Sequence, residues 1–128
     1  TILSFLRRCA DDGIIRSDSS ALCVDDGSRD NTWSIISSHS LSNEHIEGIK
    51  LSKNSGHQTA LMAGISAAKD CDIVVSIDAD LQDDISVIRD MIAAWRDGAD
   101  IVYGVRNKRQ TDTFFKRNTA LAFYSLCR

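Results

Sequence analysis

Four aspartates and a glutamine crowd into the stretch VVSIDADLQDD, Val74 to Asp84: Asp78, Asp80, Gln82, Asp83 and Asp84. The β-branched apolar run ahead of them reads as a buried strand, which has no use for charge. Asp78 and Asp80 are separated by one residue, so in extended geometry both carboxylates point to the same side. Two anions this close repel unless a cation neutralises them. Oxygen-only donors suit a hard divalent ion, Mg2+ or Mn2+, and Mg2+ typically takes one or two carboxylates together with substrate phosphates. Gln82 adds a neutral oxygen to that set. Asp83 and Asp84, with Ser86, are better explained as the capping turn of a helix that starts near Ile85.

Three further clusters belong beside this one. Asp25-Asp26-Gly27-Ser28 closes the short apolar run Ala21 to Val24. Carboxylates at a strand end can accept hydrogen bonds from the N–H groups of a base or the hydroxyls of a ribose. The same four residues are also good turn and helix-capping chemistry, and taken alone the two readings are even. Lys53 follows another strand, and Arg106, Lys108, Arg109, Lys116 and Arg117 gather late in the chain. The planar fork of arginine donates two parallel bonds to phosphate oxygens, so an acidic pair for metal with arginines nearby describes a diphosphate site. Lys108 reads better as part of a solvated basic helix face. Asp112, an isolated carboxylate between Arg109 and Lys116, suits a general base and equally suits the N-cap of a final helix. His57 is best read as a polar residue at a helix start rather than a ligand.

The elements that must position these residues alternate along the chain. An opening helix, TILSFLRRCADDG, places Ile2, Phe5, Leu6 and Cys9 on one face. The strand at Ala21 to Val24 is followed by a helix with Asp30 or Asn31 near its N-cap and with Trp33 and Ile36 facing inward. IEGIKLSKN is the next strand, and GHQTALMAGISAAKD a helix of small residues suited to close packing on a sheet. Ile73 to Ile77 is the strongest strand signal. A helix over about Ile85–Asp97, a strand DIVYGVR and a helix from about Thr113 complete the series. Such alternation predicts βαβ units and a mostly parallel sheet. Open parallel sheets bind ligands beyond the carboxyl ends of their strands, and every cluster above falls there. The opening helix has no strand ahead of it, so a first strand is expected before Thr1, and the chain reads as one domain cut at both ends.

Bulk properties narrow the function. With 128 residues the chain can bury a real core. A net charge of -3 disfavours a nucleic-acid partner. No apolar run reaches the ~20 residues that cross a bilayer, and no signal peptide pattern is present. Cys9, Cys23, Cys71 and Cys127 form no C-x-x-C pair. With Cys23 and Cys71 read as small buried thiols in or beside strands, a reducing compartment is expected.

Five motifs occur in this order: VDDGSRDNT, KNSGHQTALMAGI, DADLQD, YGVRNKR and DTFFKR. Together they resemble the polyprenyl-phosphate branch of family 2 glycosyltransferases, which includes dolichol-phosphate mannose synthases and bactoprenol glucosyltransferases. The resemblance covers nearly the whole chain. It implies a three-layer, Rossmann-like GT-A fold and inverting transfer of a hexose from a nucleoside-diphosphate sugar, of UDP-glucose or GDP-mannose type, to a lipid phosphate. It further implies that Asp25 and Asp26 hold the nucleoside, with Lys53 on the donor side, and that Asp78, Asp80 and Gln82 hold the metal with its diphosphate. Arg106 and Arg117 would hold phosphates of donor and acceptor, with Asp112 as candidate base. Two features depart from the family pattern. Proline usually follows its LQD, where this chain has Asp84-Ile85-Ser86, and the family's first strand, which helps hold the nucleotide, is not in the sequence.

Two other classes compete. A signalling receiver domain also places acids at strand ends with a lysine nearby, but needs neither a second acid two positions after Asp78 nor a late arginine cluster. A non-catalytic nucleotide-binding module shares every donor-site residue. The tail DTFFKRNTALAFYSLCR carries an apolar stripe with basic flanks, which suits a core helix and also suits a helix lying in the headgroup layer of an anionic membrane. A lipid-phosphate acceptor favours the second, placing the working protein at the cytoplasmic membrane face. Sequence leaves a homo-oligomeric state open.

Overall fold

The computed structural model describes residues 1–80, Gln82 and residues 84–105. In chain order they form α1 (Ile2–Asp11), β1 (Ala21–Asp25), α2 (Thr32–Ser42), β2 (Ile46–Lys50), α3 (His57–Ala67) and α4 (Val87–Arg96). The architecture is α/β, built on a parallel β1–β2 pair in which Ala21 faces Ile46 and Asp25 faces Lys50. Parallel neighbours need a crossover, and α2 supplies it.

Small residues set how the layers stack. A Cβ placed on Gly48 would lie 2.6 Å from Ile36 Cγ2 and 3.4 Å from the Trp33 ring, so α2 sits directly on the backbone of β2. Gly48 pairs with Cys23, and the next pair along is Val24 with Ile49. Successive positions face opposite sides of a sheet. Val24 therefore points away from α2, and there its Cγ2 lies 3.2 Å from where a Cβ on Gly64 of α3 would be. Helices α2 and α3 thus cover opposite faces, which makes the three layers. Lys50 adds its ammonium 5.7 Å from the centroid of the Trp33 ring.

Helix α1 buries Phe5 and Cys9, as its periodicity predicts, and α4 buries Ile92. Polar contacts tie the two helices at their rims. Arg89 donates to Asp12 at 2.7 Å, and Arg96 donates to the carbonyl of Ile14 at 2.7 Å. These satisfy carbonyls and charge just past the end of α1, where helix termini leave backbone groups open.

Two expected strands are not seen among the described residues. Neither Ile73–Ile77 nor residues 101–105 join a ladder among the described residues. Val74 and Ile77 are 47% and 43% exposed, and Ile101, Tyr103 and Val105 are more open still. The physical reason is the neighbour a strand requires. The ladder among the described residues is β1 with β2, and neither pairs with Ile73–Ile77. An apolar run with no ladder partner has nothing to be buried against. Cys71 is likewise exposed rather than buried, Cys23 is half-buried, and Cys9 is the thiol fully enclosed.

Candidate donor-binding site

The carboxyl ends of β1 and β2 lie on one edge of the sheet because the strands are parallel, and the loops leaving them are fastened together. The ladder runs one step past β2, with the Leu51 N–H donating to the carbonyl of Asp25 at 2.9 Å. From the next residue, Asp26, each carboxylate oxygen takes a backbone N–H: Ser55 at 2.7 Å and Gly56 at 2.9 Å. Gly56, at φ +88°, is the N-cap of α3, so the carboxylate sits at the positive end of that helix. Gly27, at φ +70°, brings the loops closer than any side chain would permit. A Cβ there would stand 2.5 Å from both the Asn54 nitrogen and the Lys53 carbonyl carbon.

Asp25 and Asp26 therefore differ sharply although they are adjacent. Asp25 is 2% exposed, its Oδ1 accepting from the Ser28 N–H at 3.0 Å. Its Oδ2 is buried with no hydrogen-bond partner among the described residues. Buried polar atoms are nearly always paired, so this carboxylate oxygen calls for a donor that the described residues do not supply. Lys53, in the loop that Asp26 fastens, is exposed. His57 is the first residue of α3 and exposed, in keeping with a polar helix start.

Asp78, Asp80 and Gln82 form a separate local turn. Asp80 Oδ1 accepts from the Gln82 N–H at 3.0 Å, and all three residues are exposed. No hydrogen bond or ion pair joins this turn to the Asp25–Asp26 loop among the described residues. Nor do the described residues hold any group of three His, Cys, Asp or Glu placed for a metal ion. The donor set nonetheless fits Mg2+ or Mn2+. It is all oxygen, and two carboxylates suffice where substrate phosphates complete the shell. Asp84 does cap the turn, accepting from the Ser86 N–H at 2.9 Å, and that hydrogen bond holds its carboxyl below the usual carboxylate range. Asp83 and everything from Arg106 onward, including Lys108, Arg109, Asp112, Lys116, Arg117 and the Phe114–Arg128 tail, lie outside the described residues.

What the sequence did not single out is the backbone. The amides of Ser28, Ser55 and Gly56 organise this edge, and only their glycine neighbours and the KNSG tetrapeptide hinted at it.

A strand-end acidic site on a parallel α/β layer is the framework of nucleotide-sugar enzymes, and comparison with known proteins gives the family. The model of the Glycosyl transferase family 2 matches residues 1–126, and the chain belongs to that family. It is 58% identical over 114 residues to the glycosyltransferase YkoT of Bacillus subtilis (strain 168), covering 88% of this chain and 34% of that protein. To the Bacillus subtilis glycosyltransferase YkcC it is 48% identical over 105 residues, 82% of this chain and 32% of that one. The bactoprenol glucosyl transferase of Shigella phage SfV is 43% identical over 103 residues, 80% and 33%. The chain spans about a third of the length of these relatives. Family membership selects the glycosyltransferase reading over the receiver-like one. The family generally uses a divalent metal ion. No helix among the described residues is long and apolar enough to cross a membrane.

Proposed function

We propose that this chain carries the donor site of an inverting glycosyltransferase that moves a hexose from a nucleoside-diphosphate sugar to a polyprenyl phosphate of bactoprenol or dolichol type. The observation that carries the donor side is the buried, unpartnered Oδ2 of Asp25 at the carboxyl edge of the sheet. A base or ribose donor would satisfy it. Support for the acceptor side comes from relatives named for bactoprenol.

In the transfer, an oxygen of the acceptor phosphate attacks the sugar's anomeric carbon on the face opposite the nucleoside diphosphate. The new C–O bond forms as the bond to the donor diphosphate breaks, and the diphosphate departs with the electron pair. Asp78, Asp80 and Gln82 would hold Mg2+ or Mn2+, which when bound supplies positive charge against that leaving group. Lys53 and Arg106 would add theirs to the donor phosphates, and Arg117 would hold the acceptor phosphate. Asp112 would take any proton the acceptor retains. A phosphate is largely ionised at neutral pH, so this base has less to do than one serving a hydroxyl. A polyprenyl acceptor keeps its phosphate at the bilayer surface, which places the reaction at the cytoplasmic membrane face.

Calorimetric titration of UDP-glucose and GDP-mannose into the full chain, with and without Mn2+, tests the donor site. Binding of one of them is expected to require the ion, and Asp80→Asn to weaken it at least about tenfold by removing one of two ligand charges. Unchanged affinity in Asp80→Asn removes the metal assignment.

A further inference from the structure

Asp26 stands next to Asp25 at the candidate donor site, and its type suits a ligand to the nucleoside. Its surroundings assign it other work. The segment from Leu51 to Gly56 leaves β2 and returns to start α3, and both of its ends are pinned to two consecutive residues of one strand end. Leu51 N–H is bonded to the Asp25 carbonyl, while Ser55 and Gly56 N–H take the two oxygens of Asp26. Lys53 sits midway along this arch. A further bond carries the constraint inward, from the Ser55 hydroxyl to the carbonyl of Lys53 at 3.2 Å. Gly27 closes the seam beneath, with no room for a Cβ against the Lys53 and Asn54 backbone. Lysine is a flexible point charge on a long stem, so fixing its backbone is what makes its reach reproducible.

We propose that Asp26 is a positioning residue rather than a ligand: its carboxylate, through the amides of Ser55 and Gly56, fixes the arch that presents Lys53 to the donor diphosphate. Asp25 and Asp26 then divide the labour of the DDG motif, the first keeping a buried, unpartnered oxygen for the nucleoside and the second turned to the backbone. This rests on the donor-site function proposed above.

Nucleosides without phosphates separate the two roles. Uridine, guanosine, UDP and GDP are titrated into the full chain with Mn2+, followed by NMR shift changes. In Asp26→Ala, affinity for the bound diphosphate is expected to fall roughly tenfold, the loss of one misplaced charge-assisted bond. Affinity for the matching nucleoside stays within about twofold, since no nucleoside contact is touched. Asp26→Asn keeps one acceptor oxygen and should fall between. In a Lys53→Met background, Asp26→Ala should cost nothing further, because the two changes remove one interaction. Equal losses for nucleoside and diphosphate, or losses that add in the double variant, would make Asp26 a direct ligand and overturn the proposal. Hydrogen exchange at the Ser55 and Gly56 amides reads the arch without any ligand. It should be slow in the wild type and fast in Asp26→Ala, and fast exchange in both also overturns it. If the wild type binds neither diphosphate, the donor-site function itself falls, and slow exchange at the two amides shows that the arch stands apart from it.

Discussion

Two glycines in left-handed backbone make it possible to weigh the seam between the strand-end loops against backbone conformation alone. Gly13 has φ +67° and Gly27 has φ +70°, so an alanine at either carries nearly the same conformational strain. That strain is about 1–2 kcal/mol for a left-handed L-residue. Each substitution also removes unfolded-chain freedom, which offsets about 0.4–1 kcal/mol and does so equally at both sites. What differs is the space around them. A Cβ on Gly13 meets nothing within 4 Å, whereas on Gly27 it meets the Asn54 nitrogen and the Lys53 carbonyl carbon at 2.5 Å. Those are backbone atoms and cannot swing aside, so Gly27→Ala must part the loops at an overpacking cost of about 1–3 kcal/mol. The expected difference between the two variants is therefore that same ~1–3 kcal/mol, with the shared terms cancelled. Urea melts of wild type, Gly13→Ala and Gly27→Ala, compared at a common m-value, measure it. Gly27→Ala should also weaken nucleoside-diphosphate binding, because it displaces the Lys53 arch, while Gly13→Ala leaves binding unchanged. Equal destabilisation by the two alanines would refute the reasoning, since it would mean that the loops yield without cost.

Two other expectations concern groups far from the donor. Alkylation followed by peptide mass analysis should modify Cys71 first, Cys23 more slowly and Cys9 last, because Cys71 is exposed, Cys9 is fully enclosed, and burial pushes the half-buried Cys23 thiol above its usual 9.0. Early labelling of Cys9 would contradict the closed face of α1. Hydrogen bonding to Thr32, from its side chain first and its backbone N–H second, holds the Asp30 carboxyl below its ordinary 3.8. A depressed folded value means that Asp30 stabilises α2 above pH 3.8 and loses that effect as pH falls through the lowered value. Alanine lacks the hydroxyl and leaves the backbone unchanged, so in Thr32→Ala the NMR titration midpoint of Asp30 should rise towards 3.8 with α2 intact. An unmoved midpoint would assign the shift elsewhere.

The four described helices and strands β1 and β2 were legible because their signals are local. Ile2, Phe5, Leu6 and Cys9 keep helical spacing, Asn31 stands at the N-cap position of α2, and Trp33 with Ile36 finds the β2 position, Gly48, that lets a helix approach. A strand is different, since its existence depends on a neighbour that periodicity cannot supply. Ile73–Ile77 has the most strand-like composition in the chain and still joins no ladder among the described residues, because neither β1 nor β2 pairs with it. Composition alone also misjudged Cys71, for a thiol next to such a run is buried only when the run itself is.

The site divides along the same line. Which residue types could do the chemistry was readable, since carboxylates two apart, a lysine after a strand and a DDG turn each imply a narrow set of partners. How two adjacent acids share that chemistry was not, because Asp25 and Asp26 look alike in a sequence. Strand geometry separates them. Side chains alternate across a strand, so neighbouring residues cannot face the same place. One carboxylate must turn inward where the chain enters the loop, and the other must turn along the sheet edge to the next loop. The inward one keeps an oxygen with no partner, and the lateral one spends both on backbone amides. On the proposed reading this pair is a ligand and its support rather than two ligands, and exchanging Asp25 and Asp26 for asparagine one at a time should yield two different losses of function.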